Sequence, residues 1–412
     1  MLKTYLQLSF NALMRQKARS ILTMVALSIG IASVVIILSA GRGLEYMILS
    51  EIDIFNPNVV NAEVRVPGKG STGSANSMAS GVTITTLKNT DLDEVKKLKN
   101  VEAVSGYVTG QEVIKYQGQD KVVLIFGYSA DATKTENIPI ATGHFYTNEE
   151  EDSLQPVVVL GSKIKDLLFG DDEAIGKNVY VRGKNFKVVG VAAERGSAFY
   201  FDFDEIIYIP LKTMQKRLLG TDYMIGMNAL AAGPEYLDSV KEDMEFLLMD
   251  RHDITDPDKK DFEVMTMAEA REMMETILGG ITILLVALVC ISLLVGGVGI
   301  TNIMYVSVAE RTFEIGLRKA IGAKSKDILW QFLIEAVMLT FGGGVIGIIL
   351  GGLISFLIYL GATYYGLEWV YSVSLFSIVL SLGFSGLVGL FFGVYPARKA
   401  ASLDPITALR KE

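Results

Sequence analysis

Four stretches of this chain carry no charge over lengths that suit the interior of a lipid bilayer, and they constrain everything else. Ile21 to Gly41, Ile277 to Ala309 and Ala336 to Leu367 contain no Asp, Glu, Lys or Arg, and Val370 to Arg398 is charged only at its last residue. About 20 apolar residues cross a hydrocarbon core of roughly 30 Å, so each stretch predicts a transmembrane helix. Hydrophobic residues make up 50% of the chain and charged ones only 20%, and the apolar residues are gathered into these blocks.

The Lys and Arg beside the runs set an orientation, because cytoplasmic flanks keep positive charge during insertion. Lys3, Arg15, Lys17 and Arg19 precede the first run. Arg311, Arg318, Lys319, Lys324 and Lys326 separate the second from the third, and Arg398, Lys399, Arg410 and Lys411 follow the fourth. The turn from Gly361 to Tyr371 has none. Both termini and the 310–331 segment are therefore expected inside the cell and residues 42–276 outside. That insert holds 25 of the 38 basic and 39 of the 46 acidic residues, a balance of −14. Such an acidic domain argues against nucleic acid as a partner, since phosphate binding needs clustered Lys and Arg.

A basic start, an apolar run and Ser39-Ala40 also fit a cleaved signal peptide, but the run exceeds a signal core of roughly 7–15 residues. The residues before it are patterned instead. Leu2, Leu6, Phe10, Leu13 and Met14 recur at helical spacing, which predicts a helix lying in the inner membrane interface.

The insert of 235 residues suffices for one or two units with their own cores. Helices are predicted at Leu92 to Leu98, with Asp91 as N-cap, and at Glu235 to Leu248. Strands are predicted at Val101 to Val108, Glu112 to Tyr116, Lys121 to Tyr128, Val157 to Leu160, Asn178 to Val181, Phe186 to Val191 and Glu205 to Ile209, with a hairpin turning at Gly183. The small residues from Gly68 to Gly81 read as a mobile loop.

Motifs that carry chemistry are thin. Gly68, Gly70 and Gly73 have the spacing of a dinucleotide fingerprint, but no hydrophobic strand leads into them and no helix opens after them. Gly170 and Gly176 stand five residues apart where a phosphate loop needs four, and Asp171, Asp172 and Glu173 occupy the place of the phosphate. His144, His252 and the single Cys290 supply no cluster for zinc or a nucleophile. Both histidines read as loop or surface residues, and Cys290 as a small apolar residue of the second span. Glu149, Glu150, Glu151 and Asp152 read as a solvated loop. Apart from Glu335 the spans are uncharged, so no polar pore is expected.

Met267, Ala270, Met273, Met274 and Ile277 share one side of a helix with Glu269, Arg271, Glu272 and Glu275 on the other. Joined to the second span, this predicts a helix of some 40 residues, about 60 Å long; the other reading is two helices hinged near Gly279-Gly280. The first span extends similarly through Arg42 to Ser50, giving two helices that form a stalk. Gly343, Gly347 and Gly351, Gly389 and Gly393, and Gly296, Gly297 and Gly299 let helices approach closely in lipid.

The segment from Glu310 to Ala323, charged at helical spacing between two Gly-rich spans, resembles the cytoplasmic signature of MacB- and FtsX-type permeases. These form the mechanotransmission class of ABC transporters. The likeness runs on from Lys324 to Glu335 and returns in the C-terminal stretch from Tyr395 to Arg410. Within the insert, Thr142 to Tyr146, Val159-Leu160-Gly161 and Phe169 to Lys177 are similar to family phrases.

The resemblance implies an α-helical membrane protein with four transmembrane helices and an α+β extracytoplasmic domain inserted between helices 1 and 2 on a helical stalk. The expected organisation is an amphipathic helix at 1–19, span and stalk at 20–50, and an outer domain with porter-like and sabre-like subdomains at 51–264. Stalk and second span follow at 265–309, a coupling segment at 310–331, spans at 332–367 and 370–395, and a tail at 396–412. It also implies a bacterial plasma-membrane machine that binds no cofactor itself and is no enzyme alone. ATP is hydrolysed by a separate ABC ATPase subunit docked on Glu310, Arg311, Glu314, Gly316, Arg318, Lys319, Gly322 and Ala323. The partners implied are a second permease copy or a related one, as homodimer or heterodimer, and a membrane-fusion adaptor. The activity implied is export of antibiotics, peptides or other amphiphiles. An FtsX-like signalling subunit acting on a cell-wall hydrolase and a lipoprotein-releasing permease remain alternatives.

Overall fold

The computed structural model describes residues 17–52, 54–68, 83–198 and 201–409, together with Gln7, Ser9, Leu13 and Met14. The expected interfacial helix and the Gly68 to Gly81 loop lie mainly outside the described residues. The chain divides into two compact units, one of Met1–Met47 with Glu275–Glu412 and the other of Ile48–Met274.

Among the described residues, four helices are long and apolar enough to cross a membrane: Lys17–Ile52, Met267–Glu310, Ser325–Tyr364 and Leu375–Ala401. The second is a single helix of 44 residues, unbroken at Gly279-Gly280 and about 66 Å long. A capping box fixes its start. Thr266 Oγ1 accepts the Glu269 N–H at 3.2 Å while the Glu269 carboxylate accepts the Thr266 N–H at 3.0 Å.

Within the first unit, the absence of side chains sets the packing. A Cβ on Gly347 would lie 2.7 Å from the Ser28 carbonyl oxygen, and one on Gly351 2.9 Å from that of Ala32, so this row seats the first helix. Gly389 and Gly393 meet Thr340 and Ala336 in the same way, joining the fourth helix to the third. Ser385 adds a hydrogen bond, its hydroxyl donating to the Thr340 carbonyl at 2.6 Å.

The second unit is built on one ten-stranded mixed sheet. In chain order the strands are β1 (Val59–Val64), β2 (Val101–Tyr116), β3 (Gln119–Tyr128), β4 (Ile140–Gly143), β5 (Val157–Leu160), β6 (Asn178–Val181), β7 (Lys184–Ala192), β8 (Ile206–Pro210), β9 (Gly226–Ala231) and β10 (Phe262–Thr266). Their spatial order is β10-β1-β9-β2-β3-β8-β5-β7-β4, with β6 pairing to β2 and β7. Side chains alternate between two cores, as strand geometry requires. Ile207 and Ile209 join Val158, Leu160 and Ile125 on an aliphatic face, where helix Leu237–Arg251 buries Val240, Met244 and Leu248. Tyr208 joins Tyr107, Tyr128 and Tyr146 on an aromatic face.

Several local expectations change. β2 is one strand where two were expected, because β3 pairs with it continuously from Tyr107 to Tyr116. The first helix of the insert begins at Asn89, so Asp91 sits inside it and its carboxylate accepts the Lys88 N–H at 2.7 Å. The acidic run lies in a short helix, Asn148–Asp152, rather than a solvated loop. Glu151 is buried there, accepts the Ala130 N–H at 2.8 Å, and is pushed up to about 7 by burial.

His252 is not a surface residue. Its Nδ1 lies 2.9 Å from Asp261 Oδ1 and its Nε2 3.6 Å from Asp91 Oδ2, while Arg251 Nε bonds Asp91 at 2.6 Å. Burial opposes the charged imidazolium, but the Asp261 and Asp91 carboxylates outweigh it and push His252 up to about 9. The cluster ties the helix Leu237–Arg251 to the helix at Asn89 and to the edge of the sheet.

Candidate functional site

At Glu310 the second long helix ends, and Arg311, with φ −105° and ψ 14°, turns the chain into a nine-residue connector helix, Thr312–Ala320. Glu314 stands in its first turn and Arg318 and Lys319 in its last, the arrangement the helix dipole favours. Gly322 then adopts φ +106°, a backbone conformation that glycine takes without strain, and the third long helix opens at Ser325. Residues 325–331, expected in the coupling segment, are thus the first turns of that helix.

The charges of the connector turn toward their own chain. Arg311 reaches Glu335 at 3.1 Å and Glu314 at 3.3 Å, and its guanidinium lies 5.1 Å from the centre of the Phe332 ring. Arg318 bonds Gln331 Oε1 at 2.7 Å and pairs with Glu314. These contacts clamp the connector to the third helix. Lys319 donates to the carbonyls of Ala401 at 2.9 Å and Leu403 at 2.6 Å, which cap the end of the fourth. Gly316 lies against Ala408, where a Cβ would come within 2.7 Å of the alanine methyl. Glu310 receives both guanidinium nitrogens of Arg19, at 3.1 and 3.2 Å. Ala323 packs into the same core as Ile315, Phe332 and Ala400.

All eight sequence-derived positions therefore gather around one short helix, with Arg311, Arg318 and Lys319 engaged by the third and fourth helices. The exposed side is apolar: Phe313 is 56% exposed, Leu317 47% and Ile321 78%, at steps of four residues. Charge periodicity drew attention away from this stripe, although its spacing is visible in the sequence. Ala408 could not be read from the sequence because Gly316, which it packs against, is 92 positions away, whereas Gln331 lies only 13 positions from Arg318 but carries no charge to mark it.

A family model described as the MacB-like periplasmic core domain matches residues 20–247, and one described as the FtsX-like permease C-terminal region matches residues 286–405. Among curated relatives, the macrolide export ATP-binding/permease protein MacB of Wolinella succinogenes is 35% identical over 408 residues, covering 99% of this chain and 60% of that protein. The protein of the same name from Bdellovibrio bacteriovorus is 35% identical over 416 residues, covering 99% and 62%. The chain thus spans about three fifths of the length of these relatives. The crystal structure of the periplasmic region of MacB from Actinobacillus actinomycetemcomitans aligns with 55% of this chain and 97% of its own, at 20% identity and a TM-score of 0.46. The chain belongs to the MacB- and FtsX-like family of ABC transporter permeases, and its four apolar helices make it a multi-pass membrane protein.

Proposed function

We propose that this chain is the force-transmitting permease subunit of an ABC-type efflux complex, with both termini and the connector helix on the cytoplasmic side. A separate ABC ATPase docks on the connector. That ATPase binds and hydrolyses the ATP. The carrying observation is the connector itself, a short helix clamped by its charges to the third and fourth long helices while Phe313, Leu317 and Ile321 face outward. An apolar stripe of this kind offers the anchors that a helix lays into a groove. Closure of the ATPase would move the connector, and the unbroken helix Met267–Glu310 leads from it to the inserted domain.

The reading extends to two permease copies matching the two-fold ATPase, a membrane-fusion adaptor on the inserted domain, and export of antibiotics, peptides or other amphiphiles. The names of the relatives favour export over the signalling and lipoprotein-release alternatives. The test is co-purification from native membranes. Phe313→Glu with Leu317→Glu should lower recovery of a nucleotide-binding subunit about tenfold or more, as loss of central interface anchors does. Undiminished recovery would overturn the docking assignment.

A further inference from the structure

The aromatic face of the sheet encloses a cavity of about 280 Å³. Strand positions supply its floor, among them Asn61 and Glu63 of β1, Tyr128 of β3 and Tyr208 of β8, and Glu136, Arg195 and Phe203 enter from connecting segments. Three properties distinguish it from a packing fault. Glu136 brings a carboxylate into it although the residue is only 6% exposed, and Asn228 donates to one of its oxygens. Among the described residues this carboxylate forms no direct ion pair; Thr135 also bonds it and the Arg195 charge favours its ionised form only from a distance, whereas buried charges are ordinarily paired in contact.

The hydroxyl of Tyr208 is likewise buried and makes no hydrogen bond within normal geometry, although the Arg195 guanidinium lies near enough to act on it electrostatically. Arg195 is itself engaged. Its Nη2 donates to the Glu136 carbonyl at 3.1 Å, and its guanidinium lies 4.6 Å from the centre of the Phe203 ring. The charged side chains of the lining are Glu136, Arg195 and Glu63, the last accepting the Tyr107 hydroxyl at 3.3 Å. Around them stand the rings of Tyr107, Phe126 and Tyr128, whose negative faces attract cations.

We propose that this cavity binds a small organic cation, a protonated amine on a compact apolar body, with its ammonium group at Glu136 and its body against the aromatic walls. The volume sits just under the roughly 300–1,000 Å³ of ordinary ligand sites, which selects a compact guest. An ammonium would add direct ion pairing to the weaker attraction that Arg195 already exerts on the Glu136 carboxylate, and the Tyr208 oxygen offers it a further acceptor. Burial holds the Glu136 carboxyl above the usual carboxylate range, so affinity should rise with pH as that carboxyl ionises. Binding is read without ATP, so its failure and a failure of ATPase docking are separable.

The experiment is calorimetric titration of the full chain in detergent with phenethylamine and with its neutral N-acetyl derivative. The amine should bind at least about tenfold more tightly than the amide, and Glu136→Gln, which keeps the shape of the side chain, should abolish that preference. Equal affinities, binding of neither probe, or an amine preference that survives Glu136→Gln would overturn the proposal. The two-probe comparison on the unaltered chain stands even where the variant folds poorly.

Discussion

The two units of this chain hold together by different physics. In the inserted domain, alternating Val, Ile and Leu from the strands fill one face of the sheet and tyrosines the other, so removal of apolar surface from water does most of the work. In the membrane unit, glycine and serine bring backbones into contact, and lipid offers no such driving force. The first kind of core suffers when atoms are removed, the second when atoms are added. Polar contacts differ too. The ionic cluster at His252 fastens a helix to its own sheet, whereas the one at Arg311 fastens a short helix whose outer face is bare.

Enlarging a helix contact should have the largest effect. Gly347→Leu would drive a side chain into the Ser28 backbone and Ile31, and should abolish recovery of monodisperse protein, whereas Val158→Ala in the sheet should leave a folded chain destabilised by about 2–4 kcal/mol. Size-exclusion profiles and thermal melts of the two variants compare these outcomes, and equal damage from both would erase the distinction.

Breaking the clamp comes next. Arg311→Ala leaves Glu335 buried without its partner, which costs about 3–5 kcal/mol in comparable pairs. The effect should appear as faster proteolysis or hydrogen exchange at 310–324, with the inserted domain unchanged. Arg318→Glu with Lys319→Glu should loosen the connector in the same way, since both residues hold it to the third and fourth helices. Reduced ATPase recovery in that variant without loosening of the connector would show instead that these charges face the partner directly.

The His252 cluster predicts a smaller effect tied to pH. The folded-state pKa of about 9 lies above the ordinary value of 6.5, so the stabilisation is complete below pH 6.5 and fades as pH rises toward 9. The loss should be on the order of 2 kcal/mol after allowance for solvent screening, and His252→Gln should flatten it. Thermal melts between pH 6 and pH 9.5 read it, in steps on both sides of the about 6.5–9 window. The smallest effect belongs to Arg19→Gln. Its pair with Glu310 is half exposed, and such pairs are worth about 0–1 kcal/mol.

Much of this architecture was legible because its causes are local. Uncharged runs mark the four long helices, and Gly183, at φ +73°, marks the hairpin of β6 and β7. The strands that escaped notice depend on distant partners. β1 pairs with β9 and β10, more than 150 residues later, and its sequence Val59-Val60-Asn61-Ala62-Glu63-Val64 carries little signal alone. For His252 the distant partner is Asp91, 161 positions away, which closes the cluster begun by the nearby Asp261. At the connector, the sequence located the helix and its charged residues, but not which way they face. That depends on Gln331, Glu335 and the end of the fourth helix, whose positions only the folded chain supplies.

The most direct test of the central claim is crosslinking from the exposed stripe. With Cys290, the single cysteine, replaced by serine, a cysteine at Leu317 carrying a short photocrosslinker should attach to a polypeptide containing an ABC nucleotide-binding domain, and ATP should change the yield. A cysteine at Phe246, exposed on the inserted domain, should not. Failure of the Leu317 probe to capture a nucleotide-binding domain, or its capture from Phe246 instead, would contradict the account.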